Sequence, residues 1–187
     1  MLNLKLTDEI RQYANKQINT KDFGRRLAGF NGTREQQYTG IVGECMIYKA
    51  LGKDLPTYDG GFSIVDLKLN DKKIDIKTMT RTVDMRDFYV HNFVGYQKDT
   101  DNDIILAISI NKKTGNVQVC GWLPKEEFLK KASFFDKGTV RERSNGTSFR
   151  TGAPLYELEN NKLNPINRSQ FFHHHPNTND TWVDNTN

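Results

Sequence analysis

Long apolar runs are missing from this chain. Nothing approaches the ~20 residues that a membrane-spanning helix needs, and Met1 to Asp8 lack the apolar stretch of a secretory leader. Both absences lead to the expectation of a soluble, cytoplasmic protein with no membrane partner. Cysteine is scarce too: two of 187 residues, which excludes a disulfide framework and a cysteine-rich zinc site. Cys45 and Cys120 each sit inside an apolar pattern and read as buried free thiols. Of the four histidines, His173, His174 and His175 are consecutive and cannot converge as spaced ligands do. His91 has no partner at ligand spacing and reads as structural or surface. The chain also lacks a Gly-rich phosphate loop, a Ser-His-Asp arrangement and any internal repeat.

What is present suits one globular domain. Hydrophobic residues make up 36% and charged residues 27%, enough for a real core at this length. The division expected is a single domain over residues 1–160 with a polar, loosely held tail over 161–187. Lys and Arg number 27 against 23 Asp and Glu, a net charge of +4, but the surplus is uneven. Residues 1–34 hold seven basic against three acidic side chains, and residues 130–150 hold six against two. Between them, residues 35–129 hold twelve against fourteen. Two basic segments flank an acidic centre, which fits metal ligands set inside a phosphate-binding surface and equally fits ordinary surface scatter.

Along the chain, Thr7 followed by Asp8 and Glu9 starts a helix, and residues 20–32 suggest a short second one. Thr33-x-x-Gln36 is a capping box opening a long helix that stops at Gly52. A hairpin is expected over about 62–79, while residues 80–102 give no clear assignment. Ile104 to Ile110 is nearly all apolar and reads as a central strand buried on both faces. Lys112 to Gly115 turns into a strand at 117–122, and Pro124 opens a helix ending near Ala132. Residues 133–153 look loop-rich and basic, and Leu155 to Leu158 reads as a last short strand. Trp122 and Phe128 read as core.

The hairpin carries the chemistry. With Asn70-Asp71 as a two-residue turn, Leu69 falls opposite Lys72 and Asp66 opposite Asp75. Alternation puts Val65, Leu67, Leu69, Ile74 and Ile76 on one face, and Asp66, Asp75 and Lys77 on the other. Like charges opposed in a ladder are destabilising, so the pair asks for a cation. Two carboxylates with an amine alongside suit a hard, oxygen-binding divalent ion and a water it activates. The helix before the hairpin supplies a third acid: Glu44 sits inside Ile41-Val42-Gly43-Glu44-Cys45-Met46-Ile47. An ionised Glu is rarely buried without a partner. Gly40 and Gly43 share its stripe and cost about 2 kcal/mol together against alanine. Close backbone approach is the expected return; the helix alone fits equally well a solvent-facing Glu44 with glycines that accommodate packing, and the Asp66, Asp75 and Lys77 face tips the reading to a site.

A Gly-x-x-Gly-Glu helix followed by Asp66 and Asp75-Ile-Lys77 resembles the PD-(D/E)XK nuclease superfamily, over about residues 34–122. Val65 stands before Asp66 where that pattern has Pro. The resemblance implies a restriction-endonuclease-like α/β fold, with a mixed sheet of about four or five strands flanked by helices and a catalytic core at about 34–132. It implies metal binding by Asp66, Asp75 and Glu44, with Lys77 orienting or deprotonating the attacking water. It further implies Mg²⁺ or Mn²⁺ as cofactor and products that carry a 5′-phosphate.

The expected function is therefore a divalent-metal-dependent DNA endonuclease. Lys137, Arg141, Arg143 and Arg150, interleaved with Phe134, Phe135 and Phe149, form one candidate DNA-binding set; Arg25, Arg26 and Arg34 form another. A solvated loop with buried Phe anchors is the competing reading of the first set. A non-catalytic nucleic-acid-binding or inhibitor module on the same fold is the alternative from another class. A ribonuclease or exonuclease using the same site is a third. Cleavage of both strands by one site per chain favours a homodimer, and the resemblance to small Asn- and Lys-rich nucleases of this kind implies a phage or mobile-element origin.

Overall fold

The fold is described by a computed structural model covering residues 1–21, 32–58, 65–142 and 146–166. In chain order it forms β1 (Leu2–Lys5), α1 (Asp8–Thr20), α2 (Arg34–Ala50), β2 (Leu67–Leu69) and β3 (Lys72–Arg81). There follow β4 (Val90–Val94), β5 (Ile104–Asn111), β6 (Asn116–Pro124), α3 (Lys125–Lys131), β7 (Ser133–Phe135), β8 (Val140–Glu142), β9 (Ser148–Arg150) and β10 (Leu155–Glu159). The fold class is α/β.

Five strands make a mixed sheet in the order β1-β6-β5-β3-β2, and β3 runs parallel to β5. Strand β5 is central and buried along almost its whole length, as its apolar run predicts. A parallel pair needs a crossover, and residues 82–103 provide it. Instead of a helix, this crossover contains β4 and a 3₁₀ turn at Gly95–Gln97. That choice lays Phe93 and Gln97 over β3.

The two faces of the sheet are covered differently. Ile10 and Ala14 of α1 and Ile41, Val42 and Met46 of α2 pack on Ile74, Ile76, Leu106, Ile108 and Ile110. The other face meets Phe93, Phe128 and Leu158, packed on Ile105, Ala107, Cys120 and Leu123. Phe128 belongs to α3, and Phe93 and Leu158 to a three-stranded sheet, β4-β10-β7. The expectation of helices flanking the sheet is thus met on one face, while a small sheet with one short helix covers the other. Each fully buried Phe there contributes about 1.5–3 kcal/mol.

The helix signals hold. The Thr7 Oγ1 accepts from the Ile10 N–H at 3.4 Å. Thr33 and Gln36 form the reciprocal capping box, with 3.2 Å to the Thr33 hydroxyl and 2.8 Å to the Gln36 side chain. The helix suggested at 20–32 lies largely outside the described residues. Three features went unread in the sequence. Strand β1 precedes the first helix. The stretch 133–153 contains three short strands rather than loop alone. Residues 160–166 are not a loose tail: Asn164 bridges Trp122 through bonds of 3.0 and 2.9 Å. A Cβ on Gly121 would lie 2.6 Å from the Asn164 carbonyl oxygen, so glycine is what admits this segment against β6. Residues 167–187 lie outside the described residues. Cys45 and Cys120 are buried free thiols, as expected, and His91 is buried with Nε2 at 3.3 Å from Asn160 Oδ1.

Candidate active site

The hairpin turn is built as its residues dictate. Asn70 and Asp71 both take positive φ, 49° and 60°, the two-residue turn whose twist suits a tight hairpin. Register follows: Leu69 opposite Lys72, Lys68 opposite Lys73, Leu67 opposite Ile74. The ladder then ends one pair short of the expected opposition between Asp66 and Asp75. The Asp66 N–H donates to the Ile74 carbonyl at 3.1 Å, and its carboxylate Oδ2 accepts from the Ile76 N–H at 2.7 Å. Hydrogen-bonding directions alternate along a strand, so the Ile76 N–H points where β2 would have continued. The Asp66 carboxylate takes that place, at the edge of the sheet rather than on one face.

This edge position lets acids on opposite faces meet. Asp75 pairs laterally with Ile105 and Lys77 with Ala107, which puts both on the side of the second core. Glu44 comes from α2, on the other side. The carboxyl of Asp66 is raised well above the usual range, by burial first, then by Glu44, then by Asp75; Lys77 and the Ile76 N–H pull the other way. Asp66 is thus the group that feels all three partners.

Each partner is held in turn. Gly43 brings α2 onto β3: a Cβ there would fall 1.8 Å from Thr78 Oγ1 and 2.9 Å from Thr78 Cβ. Glycine at 43 therefore sets the distance at which Glu44 meets the sheet. Gly40 does not share that role, since nothing stands within 4 Å of a Cβ built on it. The Tyr58 hydroxyl donates to Glu44 Oε2 at 2.6 Å, and burial followed by the Glu44 charge raises the Tyr58 pKa, keeping it a donor. The Tyr48 hydroxyl donates to the Asp66 carbonyl at 2.9 Å. Cys45, next to Glu44, is pushed up to about 12 by burial and then by Glu44, so a thiolate nucleophile is excluded.

Lys77 is the best-held cation of the group. Its Nζ lies 2.7 Å from Asp75 Oδ1, with 18% and 6% of the two side chains exposed. It donates to Gln97 Oε1 at 2.9 Å and lies 5.3 Å from the centre of the Phe93 ring. Two of its three N–H groups are thereby committed.

Glu44, Asp66, Asp75 and Lys77 are therefore brought together. Among the described residues, no three Asp, Glu, His or Cys converge closely enough to ligate one metal ion as they stand. The donors nevertheless fit Mg²⁺ or Mn²⁺ chemically. They are hard carboxylate oxygens, and Mg²⁺ is commonly held by one or two carboxylates with water filling the remaining positions. A cation at Asp66 would also relieve the repulsion that raises its carboxyl.

Among the described basic candidates, Lys137, Arg141 and Arg150 lie in or beside the β8–β9 hairpin and Arg34 opens α2. Arg141 pairs with the buried Glu157 at 2.8 Å and stacks on Phe135 at 3.8 Å, so it holds the β8–β9 hairpin in place. Arg34 reaches the Ile18 carbonyl at 3.0 Å and Asn19 Oδ1 at 2.6 Å, tying α2 to the end of α1. Arg150 donates to the Gly138 carbonyl at 3.1 Å, and Lys137 is exposed. Arg25, Arg26 and Arg143 lie outside the described residues. Sequence reasoning missed Tyr58, Tyr48, Gln97 and Phe93. Tyr58, Gln97 and Phe93 come from a loop or an unassigned stretch and Tyr48 from α2, and an isolated Tyr or Gln carries no spacing signal.

No protein-family model, curated protein or solved structure matches this chain.

Proposed function

We propose that this protein is a divalent-metal-dependent nuclease of the PD-(D/E)XK kind, an endonuclease that hydrolyses DNA phosphodiester bonds and leaves a 5′-phosphate. The observation that carries the reading is Asp66, held at the sheet edge by the Ile76 N–H and reached by the charges of Glu44, Asp75 and Lys77. Repelling carboxylates gathered around one lysine are costly to a fold and useful to phosphoryl chemistry. A binding or inhibitor module has no need of them in a basic chain.

Each residue has a role that follows from its geometry. Asp66 and Asp75 would hold Mg²⁺ or Mn²⁺, and Glu44, positioned by Gly43 and Tyr58, would complete the shell. When bound, such an ion supplies charge stabilisation at a phosphoryl oxygen and an acidified water. Lys77 is aimed by Asp75 and Gln97 and would orient the attacking water or steady the scissile phosphate.

The test is incubation of the purified protein with supercoiled plasmid, linear duplex, single strand, four-way junction and RNA, each with Mg²⁺, Mn²⁺ or EDTA. Metal-dependent cleavage of a DNA substrate, abolished by EDTA, is expected. Cleavage of RNA alone would transfer the same site to a ribonuclease. Tight binding without cleavage under every condition would leave the non-catalytic module.

A further inference from the structure

The register of the small sheet aligns three aromatic rings. Tyr156 of β10 stands opposite Phe93 of β4 on one side and opposite Phe134 of β7 on the other. Residues directly opposite in a ladder share a face, so the rings form one row across the sheet. Phe93 and Tyr156 have centroids 6.3 Å apart, and Tyr156 and Phe134 4.9 Å apart. The inner end is fully buried, and Lys77 Nζ lies 5.3 Å from it. Two strand spacings, ~10 Å, separate that ring from the outer end, where Phe134 is 48% exposed.

The outer end lies in the most basic part of the chain. Lys130 and Lys131 close α3 directly before β7, and Lys137 follows it; all three are exposed. Lys131 is engaged by Glu127 at 2.5 Å. The neighbouring ring, Phe135, points to the opposite face and lies under the Arg141 guanidinium at 3.8 Å. Phe134 is thus a half-exposed aromatic ring in a lysine-rich stretch, at the end of a row that leads to the candidate catalytic lysine.

We propose that Phe134 and Tyr156 form a stacking platform for unpaired nucleobases. The nuclease would then act on a strand that is single-stranded where it meets this row. The inference rests on the nuclease reading and narrows its substrate class. Nucleic acid is the ligand that combines flat apolar rings with regularly spaced negative charge. An apolar peptide would leave the lysines unused, and a polyanion without rings would leave Phe134 unused. In duplex DNA the base faces are already stacked, so only an unpaired segment offers them.

The experiment compares two oligonucleotides of equal length and charge, one of thymidine and one abasic, by fluorescence anisotropy with the full-length protein in EDTA. Wild type is expected to prefer the base-bearing strand by at least about tenfold. Phe134→Ala should lose that preference while binding the abasic strand as wild type does. Phe134→Trp should keep the preference and show quenched indole emission on binding, which guards against a merely misfolded alanine variant. Equal binding of the two strands by wild type, a preference retained by Phe134→Ala, or no binding of either strand overturns the platform. Cleavage in Mg²⁺ is scored separately. A base preference without any cleavage would fail the nuclease reading alone, and cleavage without a base preference would fail the platform alone.

Discussion

Replacing Gly43 by alanine tests how the candidate site is positioned. In an ordinary helix this change stabilises by about 1 kcal/mol. Here the new methyl would meet Thr78 Oγ1 at 1.8 Å, Cβ at 2.9 Å and Cγ2 at 3.0 Å. Thr78 is β-branched and lies on a strand paired on its other side to β5, so rotation about χ1 exchanges Oγ1 and Cγ2 but leaves Cβ in place. Overpacking of this kind costs about 1–3 kcal/mol, and three contacts at once place it near the top. The net expectation is a loss of about 2 kcal/mol, with α2 pushed outward. A displacement of ~1 Å at Glu44 would lower cleavage by about 100-fold. Thr78→Ala removes two of the three clashing atoms, together with a buried hydroxyl that has no hydrogen-bond partner. Alone it should cost little, and in the double variant it should recover at least about 1 kcal/mol and part of the activity. Urea denaturation and cleavage assays on the four proteins of this cycle measure both quantities. A Gly43→Ala protein as stable as wild type, or one whose loss adds independently to that of Thr78→Ala, would refute the reasoning.

Three other expectations concern the acids, Tyr58 and the buried His91. Asp66→Asn should raise the stability of the metal-free protein, because it removes a carboxyl that burial, Glu44 and Asp75 all disfavour as a charge; Asp75→Asn should lower it by about 3 kcal/mol, because it strips the Lys77 ammonium of its partner. Paired thermal melts decide this, and a shift of the same sign in both variants would show that the two acids are not differently placed. Tyr58→Phe, which removes the donor to Glu44 Oε2, should weaken Mn²⁺ affinity by about tenfold in calorimetry with little change in folding; unchanged affinity would detach Tyr58 from the site. His91 is held down to about 4 by burial and then by Arg81, so it stays neutral when folded while the unfolded chain gains a proton below 6.5. Stability from this group is full above 6.5 and is lost as pH falls from 6.5 to 4, a total of about 3 kcal/mol. A His91→Gln protein should show a correspondingly shallower fall in denaturation curves over that window, and an equal slope in both proteins would contradict the assignment.

Much of the scaffold was legible because local signals agreed with the tertiary arrangement. The Thr33–Gln36 capping box, the Asn70-Asp71 turn and the apolar run of β5 each fix one element by its own chemistry. The four residues drawn from the Glu44 helix and the hairpin do gather in space. What was not legible depends on long-range contact. Whether Asp66 pairs in the ladder or turns its carboxylate onto Ile76 depends on where β2 stops, and alternation alone does not mark that point. Strand β4 lies in a polar, aromatic stretch and is fixed by pairing with β10, more than sixty residues away. The engagement of Arg141 by Phe135 and Glu157 was not legible, because these partners belong to other strands and Glu157 lies 16 residues away. Gly40 and Gly43 looked alike in the helix stripe, and only the position of Thr78 distinguishes them.

The most direct test of the central claim is a Mn²⁺ titration by calorimetry, run beside strand cleavage on wild type, Asp66→Asn and Lys77→Ala. The account predicts that wild type binds Mn²⁺ and cleaves, leaving a 5′-phosphate. Asp66→Asn should lose both properties, and Lys77→Ala should keep the metal and lose cleavage, because an ammonium contributes to the reaction without being a ligand. Mn²⁺ binding by Asp66→Asn at wild-type affinity, or cleavage by Lys77→Ala at wild-type rate, would contradict it.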